Sequence, residues 1–395
     1  MATSADFRFF DADNHYYEAE DAFTRYADRK MRSRCMQWAN IGGRDRLLVA
    51  GKVQEFIPNP TFDPVARAGC LDAYHRGRTA FTDVREAFGA LEPISSAYRD
   101  REARLQTMDQ QGLEGAFLFP TLGVGMEELL KDDVSALHHA LHAFNQWLDE
   151  DWGFAYQDRL FAAPMIALAD PDAAVRELEF VLERDARAVC LRMAPVLTSG
   201  GYRSIGDPVF DPFWARVNES GVTIALHTGD SGYTRYVEDW EPVGSVRSFF
   251  FTPFRLLTID RCVYDTFAAL LCHGVFDRFP NVRVLSVENG ASWVDSLFAN
   301  LRKVCKTYSH EFASDPIETF KRHVWVSPFQ EDDIQGYIET LGADRVVLGS
   351  DYPHAEGLER PSDYLADLEG VAEGVVRKVM RENGLALTKR QDEHI

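Results

Sequence analysis

Short apolar runs alternate along this chain with longer stretches in which apolar residues recur three and four positions apart. The strand-like runs are FRFFDAD (7–13), GAFLFPT (115–121), LFAAPMIAL (160–168), AVCLRMA (188–194), VTIALHTG (222–229), VRVLSVENG (282–290), VWVSPF (324–329) and RVVLGSDY (345–352). Their bodies are continuously apolar and rich in Val, Ile, Leu and Phe, as in parallel strands covered on both faces. Between them, AYRDREARLQTMDQQG (97–112) ends in a glycine stop, DPDAAVRELEFVLERD (170–185) opens on an Asp cap followed by proline, and GDPVFDPFWARVNESG (206–221) runs into glycine. These are helix start and stop signals. Eight strands alternating with helices predict an α/β protein, a (β/α)8 TIM barrel, with residues 1–395 as a single domain. A doubly wound open sheet is the alternative, but no glycine-rich phosphate turn follows the first strand.

Two connections are too long for barrel loops, which usually run about 2–6 residues. Residues 16–96 follow the first strand and form an insertion or cap; residues 230–256 follow the fifth. Insertions of this size serve as lids, binding loops or partner surfaces. The run FFFTPF (249–254) reads as lid packing or an oligomer contact, RDREAR (99–104) as a solvated helix face, and the tail TKRQDEHI as frayed.

The 395 residues are 46% hydrophobic and 26% charged, an ordinary globular balance. A net charge of −20 excludes nucleic acid and anionic membrane surfaces as expected partners, since both would repel this chain. No apolar run approaches the roughly 18 residues of a membrane span, and the start MATSADFRFFDADNH lacks the pattern of a signal peptide. The six cysteines are scattered without a C-x-x-C pair and read as reduced core thiols. A cytoplasmic enzyme is the expectation.

Polar groups at the strand ends carry the candidate chemistry. Residues i and i+2 of a strand share a face, so Asp13 and His15 point together while Asn14 points away. At the C-terminal end of a barrel strand that direction is the mouth, where barrel enzymes work. The pair offers one oxygen and one nitrogen to a divalent cation; the competing reading has Asp13 capping the next segment and His15 bonded to a local carbonyl. The fifth strand delivers His227, the sixth Glu288 and the eighth Asp351. Arg192, ending the fourth strand, either grips a substrate carboxylate bidentately or pairs with a barrel acid. His354 either orients Asp351 or contacts substrate. His138, His139 and His142 read as surface residues of a helix, and Trp152 and Trp293 as core.

The motifs DADNH, LHTG, GVFDRFPNVRVLSVENGASW and LGSDYPHAEG resemble those of the amidohydrolase superfamily, in the amidohydrolase-related branch that includes aminocarboxymuconate-semialdehyde decarboxylase. The resemblance runs from residue 8 to about 383 and is weak over 16–96. It implies a metal-dependent TIM barrel with one divalent ion held by Asp13, His15, His227 and Asp351, and a homodimer or higher homo-oligomer formed through the first insertion. Many relatives have His-x-His where this chain has Asp13-x-His15, although a carboxylate there also occurs among the decarboxylases. Where the decarboxylases carry a catalytic histidine, this chain has Glu288, with His273 nearby in LLCHGVFDRFP. Two imidazoles and two carboxylates suit zinc, the expected ion, and also manganese.

The leading expectation is a non-oxidative decarboxylase of a small aromatic or unsaturated carboxylic acid. Asp351, Glu288 or His273 would handle the proton, and Arg192 and His354 would meet the substrate. The alternative is a metal-dependent hydrolase of amide, ester, lactone or carbon–carbon bonds; a metal-binding scaffold is the non-enzymatic rival. The expected partner is a small carboxylate, with neither nucleic acid nor membrane.

Overall fold

The computed structural model describes residues 6–55, 57, 59–241 and 252–390. The first apolar run forms β1 (Phe9–Tyr16), buried along its whole length. Within the first insertion, β2 (Met36–Ile41), β3 (Arg44–Val49) and β4 (Lys52–Val53) make an antiparallel sheet. β5 (Leu113–Pro120) then pairs parallel to β1, and β6 (Leu160–Ala162) to β5. After β7 (Ala188–Leu191), the hairpin of β8 (Val196–Thr198) and β9 (Gly201–Arg203) stands apart from the main sheet. β10 (Thr223–His227) lies parallel between β7 and β11 (Arg283–Val287), and β12 (Val324–Val326) flanks β11.

Backbone hydrogen bonds join these two arcs at both seams. On one side Cys190 N donates to Pro164 O at 2.8 Å and Ile166 N to Cys190 O at 3.1 Å. On the other, the segment 345–352 bridges β12 and β1: Val347 N donates to Val326 O at 3.0 Å, Ala12 N to Leu348 O at 2.8 Å, and Asp351 N to Asp13 O at 2.8 Å. The chain is a TIM barrel, as its apolar pattern predicts. Its eighth stave is less regular than the expected strand because Leu348 N donates outward to Val379 O (3.0 Å) and Asp351 adopts a left-handed backbone, φ 55°.

The helices begin and end on the residues that signal them. Asp100 accepts from Ala103 N (2.7 Å) to cap Arg101–Gln111, and Asp170 accepts from Ala173 N (3.0 Å) to cap Pro171–Leu182. Gly112 and Gly221 stop their helices at φ 74° and 68°. One expectation fails: the run 99–104 is not wholly a solvated face. Arg104 is fully buried, donating to the Asn14 side chain and to Ala97 O, with its guanidinium over the rings of Tyr352 and Trp152. The helix packs one face on β5 and turns one arginine of the run inward, where Asn14 and a carbonyl take two of its three nitrogens.

One continuous core runs from Phe9 to Leu387 and takes in Met36, Leu47 and Val49 of the insertion as well as Trp152 and Trp293. Elsewhere the insertion braces the last barrel loop: Gly69 N donates to His354 O (2.9 Å) and Leu71 N to Ala355 O (2.7 Å), with Leu71, Ala87 and Ala355 packed together. In the second insertion, helices Thr234–Trp240 and Pro253–Leu256 are described, whereas Phe249–Phe251 of the FFFTPF run lie outside the described residues, as do the last five residues of the tail. His138, His139 and His142 are half-buried and bond to Asp170 N, Asp28 N and Glu177. All six cysteines are free. No described helix is long and apolar enough to cross a membrane.

Candidate metal centre

β1 delivers Asp13 and His15 to one face, as strand alternation requires, while Asn14 turns away to donate to Asp11 Oδ2 at 2.9 Å. Asp11 does not follow the alternation, because the pairing of β1 with β5 slips between Asp11 and Asn14. Its carboxylate instead accepts from Ser350 N (3.0 Å) and Ser350 Oγ (2.5 Å), tying β1 to the eighth stave. Burial pushes Asp11 up to about 6 against the pull of those bonds. Gly349 makes this approach possible: a Cβ there would lie 2.1 Å from Ser327 Oγ and 2.7 Å from the Asp13 Cβ.

Five side chains from four staves converge. His15 Nε2 lies 3.3 Å from Asp13 Oδ1, 3.2 Å from His227 Nε2, 3.4 Å from Glu288 Oε2 and 3.3 Å from Asp351 Oδ1. His227 Nε2 lies 3.0 Å from Glu288 Oε2 and 3.8 Å from Asp13 Oδ1. Donors each about 2.1 Å from a common ion at tetrahedral angles stand about 3.4 Å apart, so these spacings fit a single cation. The buried oxygens Asp13 Oδ1 and Glu288 Oε2 receive no hydrogen bond of proper geometry, which marks them as donors awaiting a positive partner. His227 Nδ1 faces the carbonyl of Thr228 at 2.6 Å; a carbonyl only accepts, so Nδ1 carries a hydrogen and Nε2 is the nitrogen left to offer a lone pair inward once the ring is neutral. Glu288 and Asp351 both have left-handed backbone, φ 52° and 55°, a strained placement for residues other than glycine.

The charges of the cluster are strongly coupled. Burial opposes charge on His227, but Glu288 and Asp13 outweigh it and raise the ring to about 10. His15 is raised in the same way, burial being overcome by Asp13 and Glu288. Burial works against Glu288 too, yet the two imidazoles hold it well below the usual carboxylate range. Asp351 goes the other way, pushed well above that range by burial and by the charge of Glu288. His354 sits against Asp351, with Nδ1 2.6 Å from Oδ1, and its ring lies 4.0 Å from that of His15. Burial and the charge of His15 push it well below its ordinary value. Thr121 Oγ1 gives its hydrogen to Tyr16 O (2.8 Å), so at 3.0 Å it accepts from His354 Nε2. A neutral His354 with its hydrogen on Nε2 therefore turns the Nδ1 lone pair toward Asp351.

The remaining candidates fall apart from this group. His273 ends the helix Arg261–Cys272, exposed on the outer helical layer, with Nδ1 2.6 Å from Ser204 Oγ; it precedes β11, whereas the cluster follows the strands. Arg192 reaches a pocket it shares with His227, but its guanidinium is engaged by Glu128 Oε2 (2.5 Å), Ser231 O (3.1 Å) and Glu127 Oε1 (3.6 Å). Glu18, Glu127 and Glu356 were not among the sequence candidates. Glu18 accepts backbone hydrogens from Thr121, Leu122 and Gly123 at 2.9–3.1 Å and so shapes the loop after β5. Glu356, pushed up to about 8 by burial and by Glu288, keeps Oε2 buried without a partner. Its only sequence signal is its place in the LGSDYPHAEG motif; Glu127 has none, because an acid in a short helix reads as solvated.

Comparison with known proteins places this geometry. The family model described as amidohydrolase matches residues 96–387, starting where the first insertion ends. The γ-resorcylate decarboxylase of a Rhizobium species is 22% identical over 314 residues, 73% of this chain and 87% of that protein. The crystal structure of an amidohydrolase from Mycobacterium avium subsp. paratuberculosis is 41% identical and superposes with a TM-score of 0.93, covering 98% of this chain and 99% of that one. A dihydroxybenzoic acid decarboxylase of a Polaromonas species, with bound manganese and 2-nitroresorcinol, shares the fold at 16% identity and a TM-score of 0.54, covering 81% of this chain and 93% of that one.

Proposed function

The chain belongs to the amidohydrolase family, an enzyme of that superfamily, and from this premise we propose that it is a metal-dependent, non-oxidative decarboxylase of a small aromatic or unsaturated carboxylic acid. The observation that carries the reading is the convergence of Asp13, His15, His227, Glu288 and Asp351 at 3.0–3.8 Å, in a chain whose curated relative is a decarboxylase. Asp13, His15, His227 and Asp351 would hold a divalent ion, with Glu288 beside them. Three carboxylates against two imidazoles suit manganese, which the Polaromonas relative contains, as well as the zinc expected first. When bound, the ion supplies positive charge against the carboxylate and the negative charge that develops as CO2 leaves.

The chain's own residues manage the proton. Asp351 is the proposed donor to the carbon from which CO2 departs, because burial and the charge of Glu288 raise it well above the usual carboxylate range in the metal-free site. His354 places its Nδ1 2.6 Å from the Asp351 carboxyl and is itself held by Thr121. Glu288 keeps the two imidazoles oriented. His273 takes no part, being on the outer layer. The six free cysteines fit a reducing compartment, the cytoplasm.

A hydrolase is the second reading. It is favoured by Glu288 in the place where decarboxylases carry histidine, since an ionised carboxylate there is suited to take a proton from water. The deciding experiment loads the protein with manganese or zinc, incubates it with a panel of hydroxybenzoates and related unsaturated acids, and follows CO2. Metal-dependent release is the expected result. Turnover of esters, amides or lactones by the same samples, with no CO2 from any acid, would replace the reading with the hydrolase.

A further inference from the structure

The pocket that His227 lines has a second charged group in its wall. Glu127 and Glu128 stand on the short helix Met126–Leu130 after β5, and Arg192 follows β7. The loop after β10 closes over them: Asp230 N donates to Val124 O at 3.1 Å, and Gly232, with φ 77°, passes so near that a Cβ would lie 2.7 Å from the Glu128 Cδ. Glu128 is fully engaged by Arg192 and by Lys131.

Glu127 is not. It is only 8% exposed, its nearest cation is Arg192 Nη1 at 3.6 Å, and no donor among the described residues reaches it within hydrogen-bond distance. It borders the same pocket as His227, among the apolar side chains of Met165, Ile166 and Met193. A carboxylate buried short of donors is costly unless a ligand brings one. A second carboxylate entering here would meet the like charge of Glu127, and Arg192 has its Nη2 committed to Glu128 and Ser231.

Resting on the decarboxylase reading for the substrate's carboxylate end, we propose that Glu127 is the specificity-determining residue of this pocket. It accepts a hydrogen bond from a hydroxyl or amino substituent of the substrate. Arg192 holds Glu127 in place and does not clamp a second carboxylate. The substrate class is thus a small monocarboxylic acid carrying a hydroxyl or amino group, and dicarboxylic acids are selected against.

Binding tests this separately from turnover. Manganese-loaded protein is titrated calorimetrically with benzoate, 3- and 4-hydroxybenzoate, the two matching methoxybenzoates and isophthalate. One hydroxybenzoate isomer is expected to bind at least about tenfold tighter than its methoxy partner and benzoate, with isophthalate weakest. Glu127→Ala should bring the hydroxyl-to-methoxy ratio to within about twofold. The isosteric Glu127→Gln, which keeps shape but not charge, should strengthen isophthalate binding. A change in packing alone would move all the ligands together. No hydroxyl preference in the parent protein, a preference unchanged in both variants at full manganese content, or no binding by any member overturns the proposal. CO2 release without the preference removes this inference and leaves the decarboxylase; the preference without CO2 release does the reverse.

Discussion

Asp13 and His15 act together because a strand repeats every two residues, and His227 joins them because its Nδ1 hydrogen is committed to the Thr228 carbonyl. Removing either an oxygen or a nitrogen from so small a group leaves the others repelling one another. Asp13→Ala and His227→Ala are each expected to lower bound metal at least tenfold, as second contributors to such sites already cost about 10–100-fold. His273→Ala, a change on the outer layer, should keep full metal and activity within about twofold of the parent, as surface changes do. Elemental analysis of the purified variants reads all three; full occupancy in the first two would dismantle the ligand set. This much of the site was legible from residue types and spacing. The engagement of Arg192 by two acids of one short helix was not, because Glu127 and Glu128 are 64 or more positions away in the chain.

At the scale of elements, the staves differ in how much of their geometry is local. β10 ends on His227 in regular parallel pairing with β7 and β11, as its apolar run predicts. The eighth stave depends on its neighbours: Asp11 binds Ser350, Asp13 O receives Asp351 N, and Gly349 leaves room for both Asp13 and Ser327. Gly349→Ala should therefore force β1 and the eighth stave apart. The expected cost is about 1–3 kcal/mol, typical of overpacking, accompanied by weaker metal binding. Denaturant unfolding with a parallel metal assay tests it; loss of stability at unchanged metal affinity would show that the stave does not position Asp13. The helix caps, by contrast, follow from sequence alone, since Asp100 and Asp170 each bond a backbone N–H three residues away.

For the whole molecule, metal binding and folding share one set of charges. In metal-free protein His227 is raised from 6.5 to about 10. The stability from that bound proton is complete below the unfolded value of about 6.5, and it is lost as pH climbs toward 10. His15 and Asp351, also raised, act in the same direction. Metal needs the neutral rings, so its affinity rises across the same window. Manganese at a hundredfold excess over its Kd should stabilise the fold by about 2.7 kcal/mol. The gap in Tm between manganese-loaded and chelator-treated protein should widen from pH 7 to pH 9, and scanning calorimetry at several pH values measures it. A gap that stays constant or narrows would mean that the imidazoles do not surrender protons to the ion.

The sequence by itself determined the barrel, the order of its staves, the helix caps and the candidate ligands, because strand alternation, capping and apolar burial act over a few residues. It also determined that Asp13 and His15 share a face. Only the tertiary structure decided that Glu288 stands within the cluster of candidate ligands, that His273 does not, and that Arg104 is buried against Asn14. It alone brought Glu127 and Arg192 into the pocket of His227. These outcomes depend on which distant side chains meet once the ring of strands closes, and on the desolvation and mutual charge that follow.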